Sequence, residues 1–143
     1  MKNIIFAFAL NNENLFTNNY FGDADKFAIY ELSDGRLTFT EEIPNTMKSD
    51  KQGNLIHIDD KREYIVSLLK SKNVTVMVSR KFSKYLRKVT DDFIPVIIEK
   101  ENPKQVVEIL NKNVKWIKDE LKNRKSDYML FQINTGILKS AIR

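Results

Sequence analysis

The sequence predicts an α/β protein with a mixed five-stranded sheet and helices on its faces, and three observations predict it. Two strand-like runs, residues 26–32 and 37–43, flank an Asp-Gly pair, which is typical of an antiparallel hairpin. After residue 59, helical and strand-like patterns alternate, as in parallel crossover units. Residues 4–10 are apolar without alternation, which indicates a central strand covered on both faces.

The N-terminal half is predicted to hold three strands and one polar loop. Residues 4–10 form the first strand, and the second and third strands are joined through Asp34-Gly35, a pair that readily takes the positive φ angles of a tight turn. Residues 45–53 are polar and rich in turn formers, which predicts a surface loop.

Three helices are predicted in the C-terminal half. Apolar residues recur at helical spacing within residues 60–71, and Ser79 is a candidate N-cap for a second helix over residues 80–88. Asn102 and Pro103 open the third and longest helix, as cap and first helical residue. One apolar stripe runs along it, formed by Val106, Leu110, Val114, Ile117 and Leu121.

The remaining strands are predicted at residues 73–78 and 93–98, with a further strand-like run at 128–133. Pro95 favours a sheet edge for the second of these, because proline cannot donate a ladder hydrogen bond. Residues 134–136 predict a turn before a basic tail that contains Lys139 and Arg143. We therefore predict one domain over residues 1–125 and a C-terminal extension, 126–143, that either completes this sheet or pairs with a second copy as a homodimer.

Length and composition limit the kinds of ligand, partner and location that the protein can have. The 143 residues suit a single domain, the absence of Cys excludes disulfides and thiolate ligands, and a net charge of +5 favours an anionic partner. The apolar run at 4–10 is too short for a signal peptide or a membrane-spanning helix, which predicts a cytoplasmic protein.

Common catalytic motifs are missing from the sequence. It contains neither a phosphate-binding loop G-x-x-x-x-G-K-[ST], nor G-x-G-x-x-G, nor the nucleophile elbow G-x-S-x-G. The strand positions predicted to face inward are apolar, without the carboxylates of a Mg²⁺-dependent nuclease. We therefore predict no catalytic residues.

One short segment carries a family resemblance. Residues 20–30 read Y-F-G-D-A-D-K-F-A-I-Y, between the first strand and the Asp-Gly hairpin. They resemble the dinitrogenase iron-molybdenum cofactor biosynthesis family, whose loop reads H-F-G-x-A-x-x-F before a similar strand. Matching residues are Phe21, Gly22, Ala24 and Phe27, and the order of elements agrees to about residue 112.

The resemblance implies a ribonuclease H-like three-layer domain that is a non-catalytic carrier or accessory protein. Its implied ligand is an iron-sulfur or iron-molybdenum cluster, its implied partners are cofactor-assembly proteins, and the alternative that no cofactor is bound stays open. Tyr20 stands where the family places its His, and Ser79-Arg80-Lys81 replaces its glycine-rich turn. The predicted cofactor-binding residues are Tyr20, Phe21, Gly22, His57, Ser79 and Arg80.

Two further expectations concern the same region. Phe21 is predicted to pack beneath the loop as its anchor, and Gly22 to take a backbone conformation closed to other residues. The alternative function is a binding module in which the basic helix 80–88 docks on RNA or an acidic protein, with RNA disfavoured because the helix's aromatic residues fit its buried stripe.

Overall fold

A single mixed sheet with helices on both faces forms the frame of the protein. The computed structural model describes residues 4–46, 58–82, 92–124, 128–134 and 137–141. The elements are β1 (Ile5–Leu10), a 3-10 turn (Phe21–Asp23), β2 (Lys26–Ser33), β3 (Arg36–Pro44), α1 (Ile58–Ser71), β4 (Val76–Ser79), β5 (Ile94–Ile97), α2 (Pro103–Lys112), α3 (Val114–Asn123), β6 (Leu130–Asn134) and β7 (Ile137–Ala141).

The sheet has the strand order β3-β2-β1-β4-β5-β6-β7. Strands β1, β4, β5 and β6 are parallel, and β2, β3 and β7 pair antiparallel with their neighbours. All five predicted strands are present, and the extension adds β6 and β7. The prediction of a mixed α/β sheet is therefore confirmed, with two strands more than the predicted five.

Alternate residues of β1 point into two separate core clusters. Phe6 and Phe8 pack on the face that α2 and α3 cover through Val106, Leu110 and Ile117. Ala7 and Ala9 point to the opposite face, which α1 covers. The described helices therefore lie in layers on both sides of the sheet, as the three-layer prediction requires.

The hairpin between β2 and β3 forms where the sequence predicts it. Asp34 and Gly35 have φ angles of 52° and 79°, and Ser33 pairs with Arg36. Two successive positive φ angles are those of a type I′ turn, whose twist matches that of the flanking strands. The hairpin lies at the end of the sheet opposite the loop that follows β1.

Pro95 does not lie at a sheet edge, so that prediction was wrong. β5 lies between β4 and β6, and Pro95 pairs with Met77. The N–H groups of Ile94 and Ile98 donate to the carbonyl oxygens of Thr75 and Ser79, on the side of β4, so the nitrogen of Pro95 faces the opposite side. The ladder with β6 begins only at Val96, and the missing donor therefore costs no ladder hydrogen bond.

The long C-terminal helix is divided in two. Asn102 and Gln105 form the predicted cap reciprocally, through side chain to backbone distances of 2.8 and 2.9 Å. Asn113 interrupts the helix with φ −123° and ψ 18°, and its side-chain Nδ2 donates to the carbonyl oxygen of Ile109. The predicted stripe still packs against one core cluster on both sides of the break.

Two predictions near the ends of strands were wrong. Ser79 is the last residue of β4, and Lys81 forms a bridge with Tyr20, so no helix begins at Arg80. The rest of the predicted helix, residues 83–88, lies outside the described residues. In the C-terminal extension, the predicted basic tail instead contributes β7, which pairs with β6 from Asn134↔Ile137 to Leu130↔Ala141.

β6 pairs with β5 of its own chain, which confirms the first of the two alternatives for the strand-like run at 128–133. A homodimer through the extension stays a prediction. Within the described ranges, the helices are too short or too polar to span a lipid bilayer.

Candidate functional site

The parallel strands of an α/β sheet end at one edge, and ligands commonly bind there. In this protein β1 ends at Leu10 and β4 at Ser79, and the two strands are neighbours in the sheet. The loop over residues 11–25 follows β1 and residues 80–82 follow β4. These two segments meet at this edge, which we call the carboxyl edge.

The first half of the loop is held by its own polar side chains. Asn11 Oδ1 accepts hydrogen bonds from the N–H groups of Glu13 and Leu15, at 2.9 and 3.1 Å. The chain then returns to the sheet at Phe16, which is buried and packs 5.4 Å from the Phe8 ring. This return fixes the position at which the rest of the loop begins.

Phe21 anchors the second half of the loop, as predicted. Its side chain is 3% exposed, and its ring stacks on Phe27 at 4.9 Å and on Phe82 at 5.7 Å. Phe82 comes from the segment after β4, so the aromatic stack joins both segments of the carboxyl edge. Two of the three rings are buried and Phe82 is partly buried, so the stack forms an apolar contact between the two segments.

Gly22 lies in the 3-10 turn and is not among the residues with positive φ in the described ranges, so the prediction of a special backbone conformation was wrong. Its carbonyl oxygen instead accepts a hydrogen bond from Asn45 Nδ2 at 2.8 Å, and the carbonyl of Ala24 accepts a second from the same nitrogen. Asn45 directly follows β3 and is 5% exposed. Its two hydrogen bonds hold the 3-10 turn against the end of that strand.

Direct hydrogen bonds join the loop to the end of β4. The N–H of Phe21 donates to the carbonyl oxygen of Lys81 at 2.9 Å, and Tyr20 pairs with Lys81 as an isolated parallel bridge. Arg80 Nη1 donates to Asn18 Oδ1 at 2.6 Å. The Tyr20 side chain is 50% exposed, so its phenol faces solvent at this junction.

Ser79 is a buried hydroxyl at the same place. Its side chain is 0% exposed, and its Oγ has no hydrogen-bond partner among the described residues. Val78 packs in the core cluster on one face, so alternation places Ser79 on the other face, with Met77, Phe21 and Phe82. Buried hydroxyls nearly always find a partner, so this one calls for an explanation.

Five of the six predicted site residues therefore lie at the carboxyl edge: Tyr20, Phe21, Gly22, Ser79 and Arg80. The sixth, His57, lies outside the described residues. The predicted site did not include Asn18 and Lys81, which join the two segments, or Asn45, which holds the turn of the loop. Their contacts join positions far apart in the chain, and only the Asn-rich composition of the loop marks it as polar.

The carboxyl edge carries both hydrogen-bond donors and the carboxylates of Glu13, Asp23 and Asp25. Ser79, Tyr20 and Arg80 supply hydroxyl and guanidinium donors, and Lys81 supplies an ammonium. The described part of the chain contains no group of three or more His, Cys, Asp or Glu side chains that could hold a metal ion. The described edge therefore offers a ligand both hydrogen-bond donors and acceptors, with its formal charges close to balance.

The sheet and its two helical layers define a small three-layer α/β domain. A family model described as dinitrogenase iron-molybdenum cofactor matches residues 2–120. The chain belongs to this family, whose domains are accessory to the iron-molybdenum cofactor of nitrogenase. A comparison with curated proteins finds no match.

Proposed function

We propose that this protein is a non-catalytic carrier that binds an iron-molybdenum or iron-sulfur cluster at the carboxyl edge and exchanges it with cofactor-assembly proteins. One observation carries the proposal: the hydrogen bond from Phe21 N–H to the Lys81 carbonyl brings the family's motif loop onto the end of β4. The cluster is the cargo of this site.

Each predicted site residue has a proposed role. Tyr20 contacts the cluster from the solvent side, where its phenol is half exposed. Ser79 donates from below through its buried hydroxyl, and Arg80 supplies positive charge while Asn18 orients it. Phe21 and Gly22 shape the loop, and His57 is the remaining proposed contact.

The same proposal includes a ribonuclease H-like fold for the domain over residues 1–125 and a cytoplasmic location. The mixed sheet between helical layers supports the fold assignment. An experimental structure, superposed on ribonuclease H-like domains, tests the assignment directly.

Anaerobic gel filtration tests whether the protein binds the cofactor and carries it through the column. The purified protein is mixed with isolated iron-molybdenum cofactor, and the protein fraction is analysed by visible absorbance and molybdenum content. We expect the cofactor to elute with the wild-type protein and to be lost from Arg80→Ala.

Arg36→Ala is the matched control, because Arg36 is an exposed arginine at the hairpin on the opposite end of the sheet. It should retain the cofactor as the wild-type protein does. A colourless protein fraction at high protein concentration, for the wild-type chain, contradicts carriage.

A further inference from the structure

Asn45, which lies outside the loop, bonds to three backbone carbonyl groups in and after the 3-10 turn at the carboxyl edge. Its side-chain Nδ2 donates to the carbonyl oxygens of Gly22 and Ala24, both at 2.8 Å. Its backbone N–H donates to the carbonyl oxygen of Asp25 at 3.0 Å. One residue therefore holds most of the backbone between Gly22 and Asp25.

The turn has little internal support. The N–H of Asp23 donates to the carbonyl oxygen of Tyr20 at 2.9 Å, and the N–H of Ala24 donates to that of Phe21 at 3.3 Å. Such bonds between residues three apart have poorer geometry than those of an α-helix, and a single turn is not stable by itself. Gly22 at the centre of the turn adds conformational freedom. The conformation of the turn therefore depends on contacts from outside it.

Asn45 is itself held by the sheet and by a helix. It directly follows Pro44, which pairs with Lys26 at the end of β3. The hydroxyl of the next residue, Thr46, is hydrogen-bonded to the Tyr64 hydroxyl of α1 at 2.8 Å. Asn45 therefore ties the turn to elements whose positions are fixed by the core.

The hydrogen-bond donors of Asn45 are not offered to a ligand. Asn45 is 5% exposed, and its amide nitrogen has two N–H groups, one for each of the two carbonyl oxygens to which it donates. Any effect of Asn45 on binding must therefore pass through the backbone of the turn, which leads directly back to Tyr20 and Phe21.

We propose, resting on the proposed function, that Asn45 is a positioning residue of the cluster site. It holds residues 20–25 in the conformation that binds the cluster, and it does not touch the cluster. A site that spends only a fraction of its time in the binding conformation loses affinity by that fraction. Asn45 removes this loss, because the loop is already ordered when the cargo arrives.

Amide hydrogen exchange of the full-length protein without cargo tests whether Asn45 orders the turn. Asn45→Asp matches the native side chain in size but replaces the amide donor with a carboxylate oxygen, which the two carbonyl oxygens repel. Asn45→Ala removes the donor without adding charge, and it is used if the aspartate variant does not fold. We expect exchange at Asp23, Ala24 and Asp25 to be roughly tenfold faster than in the wild-type protein.

Asn111→Ala is the matched control. Asn111 Oδ1 accepts a hydrogen bond from Leu37 N–H at 2.8 Å beside the hairpin, at the opposite end of the sheet. The variant loses a side chain to backbone hydrogen bond of the same length, so it lowers the stability of the fold without changing the loop. Exchange at the same three loop amides should stay within about twofold of wild type.

Anaerobic titration with isolated iron-molybdenum cofactor tests whether the ordered turn is needed for binding. It is carried out at a temperature at which circular dichroism shows every variant to be fully folded. We expect the Asn45 variant to bind roughly tenfold more weakly than wild type, and Asn111→Ala to bind within about twofold of wild type. Since Asn111→Ala reports the effect of lost stability, the difference between the two variants measures positioning.

Three kinds of result overturn the inference and leave carriage intact. Unchanged exchange at the loop amides shows that the turn does not depend on Asn45, and wild-type affinity in an Asn45 variant shows that binding does not need the ordered turn. Equal loss of affinity in the Asn45 and Asn111 variants, or failure of both Asn45 variants to fold, shows a role in stability alone. If the wild-type protein does not bind the cofactor, the proposed function itself fails and the inference falls with it.

Discussion

Ser79 and Asn45 are both buried polar residues, and they differ in whether their side chains are hydrogen-bonded among the described residues. The side-chain amide nitrogen of Asn45 donates to two carbonyl oxygens at 2.8 Å and so holds the 3-10 turn in place. Ser79 places a hydroxyl at the end of a core strand and uses it for no hydrogen bond among the described residues. Under the proposed function, the cluster would supply the partner that this hydroxyl lacks at the carboxyl edge.

Ser79→Ala should separate stability from binding. The substitution removes a buried hydroxyl whose lost hydration is not compensated, so the free energy of unfolding should stay the same or rise by about 1 kcal/mol. Cluster affinity should fall at the same time. Urea unfolding and anaerobic titration measure the two quantities, and a variant that loses stability contradicts this account of Ser79.

Tyr30 gives the fold a pH dependence at the alkaline end. Burial of its ring, and secondly the negative charge of Glu42, raise the pKa of Tyr30 above its ordinary value of 10.0. The unfolded chain therefore loses this proton first as pH rises. The stability contributed by neutral Tyr30 is complete below about pH 10 and is lost as pH rises through the raised pKa.

Tyr30→Phe should remove this dependence. Between about pH 8 and about pH 11.5, the free energy of unfolding of the wild-type protein should fall more steeply than that of the variant. Glu42→Gln, which removes the second cause of the raised pKa, should make the fall smaller and end it at a lower pH, because the unfolded chain sets where the fall begins. If the free energy of unfolding falls equally with pH in the wild-type protein and in Tyr30→Phe, then Tyr30 has the same pKa in the folded and unfolded states, which contradicts this prediction.

At the scale of elements, the join between α3 and β6 depends on one buried carboxylate. Glu120 is 8% exposed, and its Oε2 accepts from Met129 N–H at 2.6 Å and from Arg124 Nε at 3.0 Å. It therefore sets where the chain enters β6.

Glu120→Ala should destabilise the protein by about 1–3 kcal/mol, because it leaves the Met129 N–H without its acceptor. Glu120→Gln keeps an acceptor oxygen and should cost less. Glu108→Ala, at an exposed position of α2, should stay within about 0.5 kcal/mol of wild type. Equal effects at positions 120 and 108 in thermal or urea unfolding would contradict the role of Glu120.

Elements with local signals could be predicted from the sequence, and elements decided by distant contacts could not. Asp34-Gly35 and Asn102-Pro103 carry their turn and cap chemistry within a few residues. The break at Asn113 is hidden because the apolar stripe continues through it. Ser79 has the chemistry of a cap, but the pairing of Lys81 with Tyr20 keeps the following residues extended.

At the scale of the molecule, the candidate site could be predicted in part. The Phe21-Gly22 pair marks the loop, and the strand order places that loop beside the end of β4. The hydrogen bonds that join the two segments cannot be predicted from the sequence, because Asn18 and Lys81 each bond to a residue about 60 positions away. β7 was not predicted, because Ile137–Ala141 follows a turn signal and its Lys139 made the segment look like a basic tail.

The sheet as a whole should depend on its C-terminal hairpin. β6 covers the edge of β5, and its residues Leu130, Phe131 and Ile133 are buried. Deletion of residues 126–143 should therefore give an aggregating or unfolded chain, because β5 is left as an uncovered apolar edge strand.

Deletion of residues 142–143 alone is the matched control and should leave solubility and the circular dichroism spectrum unchanged. Light scattering after purification measures both chains. A folded, monomeric protein lacking residues 126–143 would contradict the structural role of the hairpin.

The central claim is that the cluster binds where the loop meets the end of β4. Amide resonances of ¹⁵N-labelled protein, recorded during anaerobic titration with a paramagnetic cluster, test it most directly, because broadening depends on distance from the metal. We predict broadening at Tyr20, Phe21 and Gly22 and at residues 79–82, with sharp signals retained at Asp34 and Gly35. Tight binding with broadening confined to α2 and α3, or to the hairpin, would contradict the claim.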